Sequence, residues 1–162
     1  MLPSVELLLV GSVADDESEE PSSDRGGPGP AAGLQQPLAR ADDAGMSLVP
    51  PRASIVIVTY RHRDALMACL ATLPAACGGL SYEVLVIDNA SGDGVIEELA
   101  RCRPDVRGIQ SPANEGFARA VNRGLELAQG ECLCLLNPDT ECHPESLARL
   151  VRFVRERLED VL

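Results

Sequence analysis

From residue 50 onward the hydrophobic positions switch repeatedly between two periods. Ser54–Thr59 is a largely β-branched run, the pattern of a strand covered on both faces. Leu66, Cys69, Leu70 and Leu73 then recur at helical spacing, which predicts a helix ending before Pro74. Glu83–Asp88 reads as a second strand, Ile96, Leu99 and Ala100 as a short helix stopping near Pro104, and Val106–Gln110 as a weaker third strand. Phe117, Val121, Leu125 and Ala128 form the stripe of a third helix, with Gly130 as its C-cap. Cys132–Leu136 is a fourth strand. Pro144 then opens a last helix with Leu147, Leu150, Val151, Val154, Leu158 and Val161 on one face. Strict alternation of about four β-α units predicts an α/β fold, a Rossmann-type open parallel sheet with helices on both faces and right-handed crossovers.

Residues 1–50 show neither period. They hold nine acids against two Arg, the acidic run Asp15–Glu20 and the Gly/Pro run Gly26–Pro30, and they lack aromatics. Such a segment buries too little apolar surface to offset its ordering entropy. The expectation is a disordered acidic, Pro/Gly-rich tail over 1–50 and one domain over 51–162. Glu6 interrupts the apolar opening and no basic residue precedes it, which argues against a secretory leader. No apolar run approaches membrane-spanning length.

A net charge of −11 argues against binding along nucleic-acid phosphates. All 14 basic residues are Arg, and the absence of Lys excludes a P-loop and Schiff-base chemistry. The cysteines at 69, 77, 102, 132, 134 and 142 form no Cys-x-x-Cys pair. They read as small buried hydrophobes rather than a metal or redox site.

The candidate chemistry lies where strands end: at Thr59-Tyr60, Asp88-Asn89 and Asn137-Pro138-Asp139. These ends share one edge if the first strand lies between the second and the fourth, and ligands of open α/β sheets bind at that edge. There Asp88 could accept a hydrogen bond from a base or ribose, and Asp139 suits a hard divalent cation. Each alone has a simpler reading, Asp88 as a turn or cap residue and Asn137–Thr140 as a tight turn. Two acidic strand ends with an Asn-x-Gly-Phe loop between them make a ligand site the better account of all three.

Four segments in this order and spacing, Ile55–Tyr60, Val86–Gly94, Asn114-x-Gly-Phe-Ala-x-Ala-x-Asn122-x-Gly124 and Leu135–Thr140, resemble the family 2 glycosyltransferases, in the branch that includes many bacterial rhamnosyltransferases. The likeness runs over roughly 53–150 and implies a GT-A fold that binds a nucleotide-sugar. It implies that Thr59, Tyr60 and Asp88, with Asn89 beside them, match base-binding positions. Asn114, Gly116, Phe117 and Asn122 match the loop and helix beside the nucleotide. Asn137-Pro138-Asp139 stands where the family has Asp-x-Asp, with Asn137 facing the ribose and Asp139 holding Mg²⁺ or Mn²⁺ against the diphosphate. A diphosphate close to Asp88 and Asp139 meets like charge worth a few kcal/mol at an effective dielectric of about 20, which a cation reverses.

By the same resemblance the reaction is inverting transfer of a sugar, dTDP-rhamnose being one candidate donor, to a saccharide or lipid-linked acceptor of the cell envelope. That places the protein in the cytoplasm or at the inner face of the membrane and leaves peripheral association open. Arg61 stands where the family often has Asn, and reads as a solvated loop arginine ahead of a phosphate or acceptor contact. The family's catalytic base comes from an acceptor-binding half beyond these motifs, so none of Glu141, Glu145 or Glu156 is assigned to it. The alternative is an inactive fragment or a stand-alone nucleotide-sugar-binding or interaction module. A sheet ending at the fourth strand would also expose an unpaired edge and an apolar helix face, giving poor solubility or association. A dinucleotide-binding module would need Gly-x-Gly-x-x-Gly where Thr59–Arg63 stands, and a receiver domain would need an acidic pair and a Lys.

Overall fold

The computed structural model describes residues 6–10 and 51–159. Its strands are β1 (Glu6–Val10), β2 (Ala53–Thr59), β3 (Tyr82–Asp88), β4 (Val106–Gln110) and β5 (Cys132–Leu136). The helices are α1 (Arg63–Cys77), α2 (Val95–Cys102), α3 (Phe117–Leu127) and α4 (Ser146–Glu159). All strand pairs are parallel, in the order β1-β5-β2-β3-β4. The expected placement of Ser54–Thr59 between the second and fourth predicted strands is therefore observed.

Side-chain alternation along the strands makes two cores. Ile55, Ile57, Val84, Val86, Cys132, Cys134 and Leu136 pack against Leu66, Leu70 and Leu73 of α1, Val95 and Leu99 of α2, and Leu147 and Val151 of α4. On the other face, Val56, Val58, Leu85, Ile87 and Leu135 pack against Ala120 and Val121 of α3. A β-carbon on Gly124 would overlap Cγ1 of Val56, so that glycine sets how closely α3 lies on the sheet.

The structure corrects five expectations. The opening residues are not all tail: Glu6–Val10 pairs along β5 from Glu6–Cys132 to Val10–Leu136. Parallel pairing with β5 satisfies backbone groups that a bare edge would expose, so the edge expected to be unpaired is covered. The rest of the expected tail lies outside the described residues.

Second, α1 runs through Pro74. Proline lacks the N–H that would bond the Leu70 carbonyl. That carbonyl instead accepts from Nη1 of Arg103 at 3.0 Å. Arg103 is itself held by Asp105, through Nε–Oδ1 at 3.0 Å and Nη2–Oδ2 at 2.8 Å. The hydrogen-bonded pairing holds the Asp105 carboxyl below its usual range and raises the Arg103 guanidinium.

Third, Gly130 does not cap α3, whose C-cap is the extended Ala128. It passes against β2: a β-carbon there would lie 2.5 Å from the Ser54 nitrogen, and the Gly130 N–H donates to Ser54 Oγ at 2.8 Å. Fourth, Phe117 is 55% exposed and leaves the apolar stripe. Fifth, α4 begins at Ser146 rather than Pro144. Glu145 has φ 60° and gives its N–H to the Ala75 carbonyl at 2.8 Å, closing an open carbonyl of the last turn of α1. Side chains of α4 beyond Arg157 lie outside the described part.

Cys69, Cys77, Cys132 and Cys134 are buried, as small core residues are, Cys142 is half-buried and Cys102 exposed. Among the described residues no helix is long and apolar enough to cross a membrane.

Candidate functional site at the C-terminal rim of the sheet

The chain moves outward from β2 to β3 and β4 on one face, then returns over the other face through α3 to β5. This reversal makes the crevice between the C-terminal ends of β2 and β5 the topological switch point, where such sheets bind ligands. The β2–β5 ladder ends at Ile57–Leu136, while β2 continues beside β3 to the pair Thr59–Asp88. The two chains thus part above Ile57. Thr59-Tyr60 lies on one lip and Asn137-Pro138-Asp139 on the other.

Asp88 ends β3 with its carboxylate turned inward, and the residue is 1% exposed. Oδ1 accepts from the Ser91 N–H at 3.1 Å and from the Ser91 hydroxyl; Oδ2 accepts from Nε2 of Gln110 at 2.6 Å. In this state the side chain does the work of a turn residue, the simpler of its two readings. Ser91 Oγ in turn accepts from the Arg61 N–H at 2.8 Å. The carboxylate therefore fixes the loops after β3 and, through Ser91, after β2.

Asn89 is 3% exposed and reaches the next loop. Its Nδ2 donates to Oδ1 of Asn114 at 2.7 Å, and its Oδ1 accepts from the Glu115 N–H at 3.0 Å. Asn114 Oδ1 also accepts from the Gly116 N–H at 3.0 Å. Gly116, at φ 82°, occupies a region that side chains disfavour and turns the chain into α3. Phe117 and Asn122 are exposed on that helix.

On the opposite lip the Asn137 carbonyl accepts from the Thr140 N–H at 3.2 Å and the Cys69 thiol at 3.8 Å, forming the expected tight turn. Burial raises the Cys69 thiol to about 12. Asp139 projects from this turn and is exposed. The hydroxyls of Thr59 and Ser111 are buried at the rim without a hydrogen-bond partner among the described residues. Unmatched buried hydroxyls are costly, and a ligand at the rim is one way to match them.

Among the described residues no group of three or more His, Cys, Asp or Glu side chains forms a metal cage. A lone exposed carboxylate instead suits a cation shared with a ligand, since Mg²⁺ is commonly held by one or two carboxylates, substrate phosphates and water. Asp139 fits that role.

Sequence reasoning missed Ser91, Gln110 and Ser111. The Asp-x-x-Ser spacing of 88–91 is a local turn signal and was available. Gln110 had none, because its bond to Asp88 depends on β3–β4 register.

The profile described as Glycosyl transferase family 2 matches residues 54–162, more than half of the chain. The chain belongs to glycosyltransferase family 2. Its family 2 relatives include "Dolichol-phosphate mannosyltransferase" of Pyrococcus furiosus, 30% identical over 107 residues, 64% of this chain and 30% of the relative. Another is "Undecaprenyl-phosphate 4-deoxy-4-formamido-L-arabinose transferase" of Aeromonas hydrophila, 37% identical over 105 residues, 60% of this chain and 32% of the relative. The chain thus spans about a third of the length of these curated relatives. Among solved structures, S. aureus TarS 1–349 superposes with TM-score 0.57 at 23% identity, covering 65% of this chain and 32% of that one. The fold is the GT-A arrangement that the motifs implied.

Proposed function

We propose that this chain forms the donor-binding part of a glycosyltransferase that moves a sugar from a nucleotide-diphospho-sugar, dTDP-rhamnose among the class, to a saccharide or lipid-linked acceptor. The observation that carries the reading is the switch-point crevice between β2 and β5, with Thr59-Tyr60 and Asn137–Asp139 on its lips, within the segment 54–162 that matches family 2. Both curated relatives carry a polyprenyl phosphate in their names, which favours a lipid-linked acceptor and work beside a membrane.

Thr59 and Tyr60 face the base, and Asn89, Asn114 and Gly116 hold the loop against which Phe117 and Asn122 present the nucleotide. A base N–H that reaches Asp88 takes the place of the Gln110 amide on Oδ2. Asn137 and Pro138 set the turn, and Asp139 would hold Mg²⁺ or Mn²⁺ there. A divalent cation bound there would neutralise the nucleoside diphosphate as leaving group. The acceptor oxygen attacks the anomeric carbon from the opposite side as the bond to diphosphate breaks, which inverts that centre. The acceptor proton passes to a base that no residue of this chain is assigned to supply.

Isothermal calorimetry with UDP-, GDP- and dTDP-sugars, with and without Mn²⁺, tests the reading. Metal-dependent binding of at least one is expected, and no binding of any would overturn it. Binding without transfer to any acceptor would identify a nucleotide-sugar-binding module.

A further inference from the structure

We infer that Arg61, in the loop after β2, is a phosphate-binding residue, an inference that rests on the proposed donor and acceptor chemistry. Three observations lead there. First, Arg61 has φ 59°. A left-handed backbone strains any residue with a β-carbon, and such strain persists where surrounding contacts impose it. Here the imposing contact is the Arg61 N–H donating to Ser91 Oγ at 2.8 Å, with Ser91 itself locked to Asp88. Glycine would adopt this turn without strain, so nothing in the backbone calls for arginine.

Second, the guanidinium is placed but not neutralised. It lies over the Tyr60 ring, 5.0 Å from the centroid. Stacking of this kind limits the side chain while leaving its N–H donors available. No carboxylate pairs with it among the described residues. Arg63, two residues on, contrasts with it: its Nε lies 3.3 Å from Glu98 and 3.7 Å from Asp64, and its Nη1 donates to the Asp93 carbonyl. Arg63 thereby offsets Asp64, and Asp93 Oδ1 is engaged by the Val95 N–H at 3.2 Å. Among the described residues, Arg61 is thus an arginine of the groove without a carboxylate partner.

Third, the guanidinium lines a groove of about 470 Å³ together with His62, Arg63, Asp64 and Asp93, large enough to admit a phosphate. A phosphate accepting from the forked Arg61 donors neutralises that charge. The anion is either the diphosphate of the donor or the phosphate of a lipid-linked acceptor; the chemistry is common to the two.

The test compares the full chain with R61G and R61K by calorimetry, using uridine, guanosine and thymidine, their diphosphates with Mg²⁺, and farnesyl monophosphate in micelles. R61G is expected to lose about tenfold in affinity for a phosphate ligand, with nucleoside binding unchanged and melting temperature unchanged or raised. R61K should recover part of the loss, because it restores a point charge without the fork. A loss confined to nucleoside diphosphates assigns the donor, and one confined to farnesyl phosphate assigns the acceptor. Equal binding of every phosphate ligand by R61G overturns the inference and leaves the proposed function standing. If the unaltered chain binds no nucleotide and no farnesyl phosphate, both fall together. A lowered melting temperature in R61G alongside unchanged phosphate binding would make Arg61 structural and also overturn the inference.

Discussion

The side-chain amide of Asn89 donates to Oδ1 of Asn114 at 2.7 Å, tying the end of β3 to the loop that enters α3. Twenty-five residues separate the two in sequence. Their pairing, with the Glu115 and Gly116 N–H groups as further donors, converts an exposed loop into a fixed wall of the crevice. Replacing Asn89 by Ala removes the acceptor of the Glu115 N–H and leaves the Asn114 side-chain oxygen with the Gly116 N–H alone. The expected cost is about 0.5–1.5 kcal/mol, the net worth of ordinary hydrogen bonds, because the loop groups left behind can turn to water. Urea denaturation gives the magnitude, and hydrogen exchange should quicken at Glu115 and Gly116 before it does in β3. Unchanged exchange there would show that the loop stands without the amide pair.

Asp139 should separate binding from folding. It is exposed and makes no contact in either core, so Asp139→Asn is expected to change stability by less than about 0.5 kcal/mol. Under the proposed function the same change removes the gain in nucleotide-sugar affinity on adding Mn²⁺. Calorimetry with and without metal reads this directly, and an undiminished metal effect would place the cation elsewhere.

Arg103 and Pro74 form a compensated pair. Arg103→Ala strips the donor from the Leu70 carbonyl inside α1 and should destabilise the domain by about 1–3 kcal/mol. Pro74→Ala in that background supplies an N–H four residues after Leu70 and should restore much of the loss. A double-mutant cycle by urea denaturation measures the coupling. Strict additivity of the two changes would show that Arg103 acts only through Asp105.

Gly124→Ala drives a methyl into Val56 Cγ1, with Ile87 Cγ1 3.3 Å away on the neighbouring strand. Overpacking of this kind costs about 1–3 kcal/mol, and the helix must lift from the sheet. Gly92→Ala is the control for backbone effects, since space there is open but φ is 69°. Thermal unfolding that ranks the Gly92 change as the worse of the two would argue against tight α3 packing.

Stability should fall in alkali. Burial first, and neighbouring groups second, push Cys69 and Cys77 up to about 12 and Cys134 up to about 11, from an ordinary 9.0. Unfolded thiols ionise near 9, so above that pH the unfolded chain holds fewer protons than the native one. The stabilising contribution is complete below pH 9 and is lost as pH rises through the native values. Urea midpoints between pH 8 and 11 should decline, and Cys77→Val should flatten the slope. Equal slopes in the two proteins would assign the decline to other groups.

The alternation of β-branched runs with helical stripes sufficed to specify a parallel sheet, because each period dictates which faces must be buried. The four motifs at 55–60, 86–94, 114–124 and 135–140 together sufficed for the family, since they depend on residue types at fixed local spacing. Tertiary structure decided what depends on long-range partners. Pro74 reads locally as a helix end, yet Arg103 crosses from the α2–β4 connection to replace its missing donor. Gly130 reads as a C-cap until its contact with Ser54 is known. Glu6–Val10 is too short to show a period of its own, and its pairing along β5 places it in the sheet. Asp88 reads equally well as a ligand acceptor or a turn residue, and the β3–β4 register that brings Gln110 to its Oδ2 turns it inward. Periodicity records burial, which each residue carries in its own chemistry; a hydrogen bond needs two groups in register, and the folded chain alone supplies the second.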